Sequence, residues 1–321
     1  MKKVIGIGEL LIDMMPNEKG KRLKDVTGFT KKAGGAPANV CVAAAKLGTS
    51  SVFLGAVGDD AFGDLLIDEL NTYGVNTEYM ERSTVANTCL AFVTLTHEGE
   101  RDFIFYRNPS ADQLYRGLKD LSILDHQILH FCSVSLLGDY PMVNTHQRLL
   151  KHAKTHQTIV SFDPNIRLAL SSDHVTYQQT IKAYLSYADI LKIGVDELEF
   201  ITGKQVYKDQ IQWLRTYPWR ILIITLGKDG VHIYTQKEDV IVPSYAVNVV
   251  DTTGAGDAWI GAFLAQCAKH DELPTNILIL LDYAKVSNAF AALTTTHMGA
   301  MEAMPNLVEL NEFLHEKDLK K

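Results

Sequence analysis

Cysteine is scarce in this chain and poorly placed for pairing. Four occur in 321 residues, Cys41, Cys89, Cys132 and Cys267, with no C-x-x-C spacing. That argues against a disulfide framework and a thiolate zinc site, and a reducing cytoplasm is the expected location. Positive charge is also short. The 31 Lys and Arg face 38 Asp and Glu, and no basic run reaches five residues, so the electrostatic footprint of a nucleic-acid binder is missing. An anionic ligand must therefore be met by local groups. No apolar run approaches the roughly 18 residues of a membrane span. The start, MKKVIGIGELLIDMM, mimics a leader, but Glu9 and Asp13 interrupt it and no small-residue cleavage site follows, so KVIGIG is expected as a first buried strand. Two common phosphate signatures are absent: there is no G-x-x-x-x-G-K-[ST], and Gly6 and Gly8 lack the third glycine of a dinucleotide fingerprint.

What is present is an alternation. Apolar, β-rich runs (Val4 to Ile7, Ser51 to Ala56, Ile128 to Phe131, Thr158 to Phe162, Ile190 to Ile193, Ile221 to Thr225) alternate with stretches at helical spacing, such as Ala38 to Leu47, Gly63 to Tyr73 and Tyr140 to Thr155. This predicts a three-layer α/β/α domain around a mostly parallel sheet buried on both faces. Residues 10–33 and 86–108 break the pattern with short alternating strands, the second pair joined by a polar HEGE turn. They read as a small β-sheet lid, or as an edge hairpin of the main sheet. The expected boundaries are 1–9, 34–85 and 109–321 for the α/β domain, and 10–33 with 86–108 for the lid.

Two glycine motifs stand out. In DTTGAGDAWIGAFLA, residues 251–265, Ile260, Phe263, Leu264 and Cys267 follow at helical spacing, so GAGD sits at a helix start. Gly254 and Gly256 can adopt backbone angles closed to other residues, and small Ala255 lets several N–H groups point into one concavity at the positive end of the helix. A plain glycine turn with Asp257 as a first-turn carboxylate fits equally well. In GGAPANVCVAAAKLG, residues 34–48, glycines allow close backbone approach, Pro37 suits a helix start and Asn39 offers a fixed amide; helix entry and packing alone would also explain it.

Taken with the order of the other segments, these motifs resemble the PfkB (ribokinase-like) family of sugar and nucleoside kinases, and the resemblance covers essentially the whole chain. YRNPSADQLY (106–115), FDPNIRLAL (162–170), KIGVDELEFITG (192–203) and ITLGKDG (224–230) are similar to the blocks of its fructokinases. The resemblance implies an ATP- and Mg²⁺-dependent fructokinase, moving the γ-phosphoryl group to the 6-hydroxyl of D-fructose. Asp257 would be the catalytic base, for which a low-pKa aspartate suffices, and the amides of Gly254, Ala255 and Gly256 would face the migrating phosphoryl group.

By the same resemblance, Asp13, Gly34, Gly35 and Asn39 would bind the sugar hydroxyls. Phe105 and Arg107 would close on the sugar from the lid, and Arg167 would reach substrate or phosphate oxygens. Asp163 reads as either functional or turn-forming. Lys192, Glu197, Thr225, Gly227, Gly230 and Asn288 would serve the nucleotide side. Glu197 matches the acidic position of the family's N-x-x-E motif near magnesium, although Gly194 stands where Asn or Ser is usual. For Asn288 a capping or core role competes. Backbone carbonyls of Asp251, Thr253, Thr294, His297 and Gly299 would hold a monovalent cation such as K⁺. The remaining histidines are expected on the surface. Lid sheets of the family pair between subunits, which implies a homodimer. The rivals are a 2-keto-3-deoxygluconate kinase or ribokinase of the same family, a sugar sensor without catalysis, and an NAD(P) dehydrogenase, which the missing fingerprint disfavours.

Overall fold

The computed structural model describes residues 1–18, 20–95 and 101–319; the HEGE turn lies outside them. Among the described residues the main sheet has nine strands. In spatial order they are Asp239–Val242, Val231–Tyr234, Ile221–Thr225, Ile190–Gly194, Ile159–Asp163, Ile128–Cys132, Val4–Ile7, Ser51–Leu54 and Val75–Asn76. Neighbours are parallel except at one edge, where Val231–Tyr234 pairs antiparallel with both Ile221–Thr225 and Asp239–Val242. That edge hairpin was not foreseen. Strand residues alternate between the two sides: Ile128, Ile190 and Ile221 join one core, and Leu129, Leu191 and Leu222 the other. Aliphatic side chains on both faces are what a doubly covered parallel sheet requires.

One helical layer, including Pro141–Ala153 and His174–Leu185, packs over Phe131, Phe162 and Trp219. The other holds Ala36–Lys46, Ala255–Cys267 and Ile277–Thr294. In this layer Ala36–Lys46 and Ala255–Cys267 cross closely at Gly261, where a methyl group would stand 2.5 Å from Ala43 Cβ and 2.8 Å from Val40 O. The run expected as one strand from Ser51 to Ala56 divides at Gly55; its second part, Ala56–Gly58, pairs with Glu81–Ser83 in a separate two-stranded sheet. Ile277–Thr294 also departs from expectation. It spans 18 residues at mean hydropathy 1.4, long and apolar enough to cross a membrane. Its Leu280, Ala284 and Phe290 instead sit in the core, and it carries Asp282 and Lys285.

The lid is a sheet of its own rather than an edge of the main one. Its order is Phe29–Gly34, Leu11–Pro16, Cys89–Leu95, Arg101–Tyr106, with a parallel central pair between antiparallel ones. Leu11, Cys89 and Ala91 pack with Phe105 on one side, while Ile104 and Tyr106 are exposed. Lys32 on the lid is ion-paired with Glu302 of the body.

Candidate active site

Gly254 opens the helix Ala255–Cys267 with a left-handed φ of 73°, and a methyl group there would meet Ala300 Cβ at 2.6 Å. Both facts make glycine necessary. The first helical bond runs from Ala258 N–H to Gly254 O at 2.7 Å, while the Ala255 N–H is taken by a longer turn bond to Thr252 O at 3.3 Å. Asp257 follows in the first turn, only 8% exposed. Its Oδ2 accepts from Asn39 Nδ2 at 2.8 Å and its Oδ1 from Asn165 Nδ2 at 3.2 Å. Burial pushes its carboxyl up to about 6; Asn39, Lys192 and Arg167 pull it down and Asp163 pushes it further up. The expectation of a low-pKa aspartate is thus corrected: withdrawal from water outweighs the nearby donors and cations.

Asp163 ends its strand and Lys192 lies midway along the adjacent parallel one, Ile190–Gly194, whose register pairs Phe162 with Leu191 one step earlier. Lys192 Nζ donates to Asp163 Oδ2 at 2.7 Å, and both side chains are buried. Burial acts to lower the Lys192 pKa, but Asp163, Glu197 and Asp257 together hold it above its ordinary value. A methyl group on Gly256 would stand 3.0 Å from this ammonium, so a fixed positive charge lies against the GAG turn. Glu197 accepts from the N–H groups of Gly194, at 2.8 Å, and Ile166. Burial and Asp163 push its carboxyl up, against the pull of Lys192 and those two donors. Any side chain at Gly194 would strike Asp196 Oδ1 at 2.6 Å; Asp196 and Glu199 themselves are exposed.

Asp257 lies in a cleft of about 230 Å³ that Asp13, Gly35, Asn39, Phe105, Arg167, Lys192, Gly254 and Gly256 also line. Gly34 makes room for it: a Cβ there would meet Asp13 Oδ2 at 2.3 Å. Arg107 differs from expectation. Its Nη2 and Nε hold Asp112 Oδ2 at 2.7 and 2.8 Å, and it is not among the cleft-lining residues. Sequence reasoning missed two side chains here. Asn165, with φ 44°, turns its amide onto Asp257. Glu9 is 3% exposed, and burial raises its carboxyl to about 7 against the pull of its own backbone N–H and Arg107. The only signal for Glu9 was a carboxylate interrupting an apolar run.

A second cleft, of about 620 Å³, is lined by Thr225, Gly227, Gly230, Tyr245, Ala255, Trp259 and Asn288 among others. Asn288 is a buried brace. Its Oδ1 accepts from Trp259 Nε1 at 2.6 Å, and its Nδ2 donates to Val242 O and Pro243 O at 3.1 and 2.9 Å. Thr252 and Gly256 line both clefts, so the two meet at the GAG turn. Behind it, Asp251 Oδ1 accepts from Thr253 N–H at 3.0 Å and Asp251 Oδ2 from Gly299 N–H at 3.0 Å, which brings the 251–253 and 294–299 segments together. Among those residues Thr294 is buried and His297 exposed. The other histidines are not all superficial: His130 and His146 are fully buried, bonded to Ser161 and Ser135, because aliphatic strands and helices enclose them.

A three-layer fold with a β-sheet lid, and two clefts joined at a helix start carrying a buried carboxylate, define a kinase of the ribokinase-like class. The model of the pfkB family carbohydrate kinases matches residues 1–307, and the chain belongs to that family. It is 41% identical over 318 residues to a probable fructokinase-5 of Arabidopsis thaliana, covering 98% of each chain. Among solved structures it is similar to the ATP-bound fructokinase of Xylella fastidiosa, with TM-score 0.87 and 34% identity over 98% of this chain and 99% of the other. It is also similar to the fructokinase of Vibrio cholerae O395 bound to fructose, ADP and calcium ion, with TM-score 0.88, 34% identity and the same coverage.

Proposed function

We propose that this chain is an ATP-dependent fructokinase that phosphorylates the 6-hydroxyl of D-fructose. The observation that carries this reading is the position of Asp257 in the smaller cleft, beside the turn that it shares with the larger one. Sugar seated among Asp13, Asn39 and Arg167 presents its hydroxyl to the Asp257 carboxylate, which two amides hold in place. ATP in the larger cleft places its γ-phosphorus next to the Gly256 turn. The hydroxyl oxygen bonds to phosphorus, the bond to the β-bridging oxygen breaks and leaves ADP, and the hydroxyl proton passes to Asp257. Gly256 N–H and Lys192 stabilise charge on the phosphoryl oxygens.

Magnesium, when bound, would neutralise phosphate charge; Glu197 lines neither cleft and both its oxygens accept from backbone N–H groups, so it would hold the ion through water. The segments 251–253 and 294–299, already held together through Asp251, suit a monovalent cation bound by their carbonyls. We place the enzyme in the cytoplasm, as a homodimer through the lid, whose exposed Ile104 and Tyr106 support such a contact. Sedimentation as a monomer would count against that contact.

A coupled ADP-release assay with fructose, mannose, ribose and ketodeoxygluconate tests the reading. Fructose is expected to give the highest kcat/KM. The engagement of Arg107 by Asp112 leaves Arg167 as the cleft-lining arginine, which disfavours a keto-acid substrate. Preference for ketodeoxygluconate or ribose would replace the sugar assignment, and no turnover with any sugar would leave a sensor.

A further inference from the structure

The chain carries a cluster of potential metal ligands far from Asp257 in the fold. His152, in the last turn of Pro141–Ala153, and His156, four residues on, form an H-x-x-x-H spacing. Asp125 stands just before the strand Ile128–Cys132, and His156 just before Ile159–Asp163. The cluster therefore sits at the N-terminal ends of two neighbouring strands, whereas Asp163 lies at the C-terminal end of one of them.

The side chains are already converged. The two imidazoles stack with centroids 3.7 Å apart and planes within 4°. Asp125 Oδ1 is 2.6 Å from His152 Nε2, and one ring nitrogen of each histidine lies with one Asp125 oxygen inside 4.8 Å of one another. His156 Nδ1 is 2.9 Å from His152 O. The same nitrogen lies 2.9 Å from the Thr155 hydroxyl, so either tautomer fits its surroundings, and turning the exposed ring out of the stack gives up these contacts and presents a ring-nitrogen lone pair to a metal. The His126 N–H bonds to His156 O at 3.1 Å and fixes the two segments relative to each other. Asp120 adds a further carboxylate within electrostatic range of His152.

We propose that Asp125, His152 and His156 form a site for a borderline divalent transition metal of the zinc type. Two imidazoles and a carboxylate match that ion's preference, and the exposure of His156 leaves a fourth position to solvent. Tetrahedral bonds of about 2.0–2.1 Å bring ligand atoms to about 3.4 Å. Rotation of the exposed His156 ring supplies the closure. The bound ion would link the entries to two core strands, so its effect is on stability and not on phosphoryl transfer.

The test uses tag-free full-length protein, titrated calorimetrically with Zn²⁺ and followed with Co²⁺ by visible absorption. Wild type is expected to bind one equivalent of Zn²⁺, to give a tetrahedral Co²⁺ spectrum and to gain Tm with Zn²⁺. In His156→Ala, an exposed position, Zn²⁺ binding is expected to weaken at least about tenfold, the Tm gain to vanish and sugar turnover to persist. Asp125→Asn is expected to weaken binding as well. Equal binding by wild type and His156→Ala, or no binding by wild type, would overturn the site.

Discussion

The two clefts that meet at Gly256 are built by opposite means. The smaller cleft, proposed for the sugar, is lined by buried ionisable groups, Glu9, Lys192 and Asp257, whose protonation is set by burial and by neighbouring charges. The larger cleft, proposed for the nucleotide, is walled by glycines, Trp259 and hydroxyl residues, its charged residues Lys228 and Asp229 are exposed, and its buried amide, Asn288, is used internally. On the first side function depends on charge held out of water, which costs stability and gains reactivity. On the second it depends on shape, where a single methyl group is the largest disturbance available. Substitutions should therefore sort by side: charge changes alter kcat and stability, and methyl additions alter the KM for ATP.

Asp257→Asn is the severest test. It keeps the side-chain shape, turns one of two acceptors into a donor facing an amide, and removes the base, so kcat should fall about 10²–10⁴-fold while fructose binding, measured by calorimetry, changes little. Near-normal turnover would end the assignment of Asp257 as base. Lys192→Met comes next. It leaves Asp163 buried without its cation, and urea unfolding should show a loss of about 3–5 kcal/mol. A variant as stable as wild type would mean that the pair is better hydrated than its burial implies.

The stability of wild type should also fall as pH rises from about 4 to 7, relative to that of Asp257→Asn. The folded carboxyl titrates near 6 instead of 3.8, so proton binding favours the fold; that contribution is complete below about pH 4 and is lost as pH rises through 6. Asn is spared this loss, which amounts to on the order of 2–3 kcal/mol at pH 8. On the nucleotide side, Gly230→Ala forces a side chain onto φ 104° with its Cβ 2.1 Å from Val242 O. Backbone strain of about 1–3 kcal/mol should raise the KM for ATP about 5- to 100-fold, with the fructose Kd unmoved. Finally, kcat/KM should decline about tenfold per pH unit below about 6, as the base becomes protonated. A flat profile down to pH 5 would indicate that solvent reaches Asp257 more freely than its burial implies.

The same contrast explains what could be read before any coordinates. The layered fold was legible because buried parallel strands are aliphatic on both faces and announce themselves as runs, as Ile221 to Thr225 does. The hairpin Val231–Tyr234 with Asp239–Val242 was not, since its exposed, mixed edge carries no such run. The GAG turn and Asp257 were legible because glycine need is local. The partnership of Asp163 with Lys192 was not, because it arises from the register of two strands distant in sequence. Arg107 illustrates the converse: its residue type suited the lid, but Asp112, five positions on, captures it. The H-x-x-x-H spacing of His152 and His156 stands in the sequence but was passed over among histidines expected on the surface, because Asp125, which would give it chemical meaning, joins only through strand pairing.

Gly261 carries a consequence of its own. It seats Ala255–Cys267 directly on Ala36–Lys46, and those two helices bear Asp257 and Asn39. The reach between the proposed proton acceptor and the amide proposed to bind sugar is therefore gauged by a contact that lines neither cleft. One added carbon atom at Gly261 would push the helices apart like a shim, and the damage would surface as slower chemistry in a site whose every residue is intact.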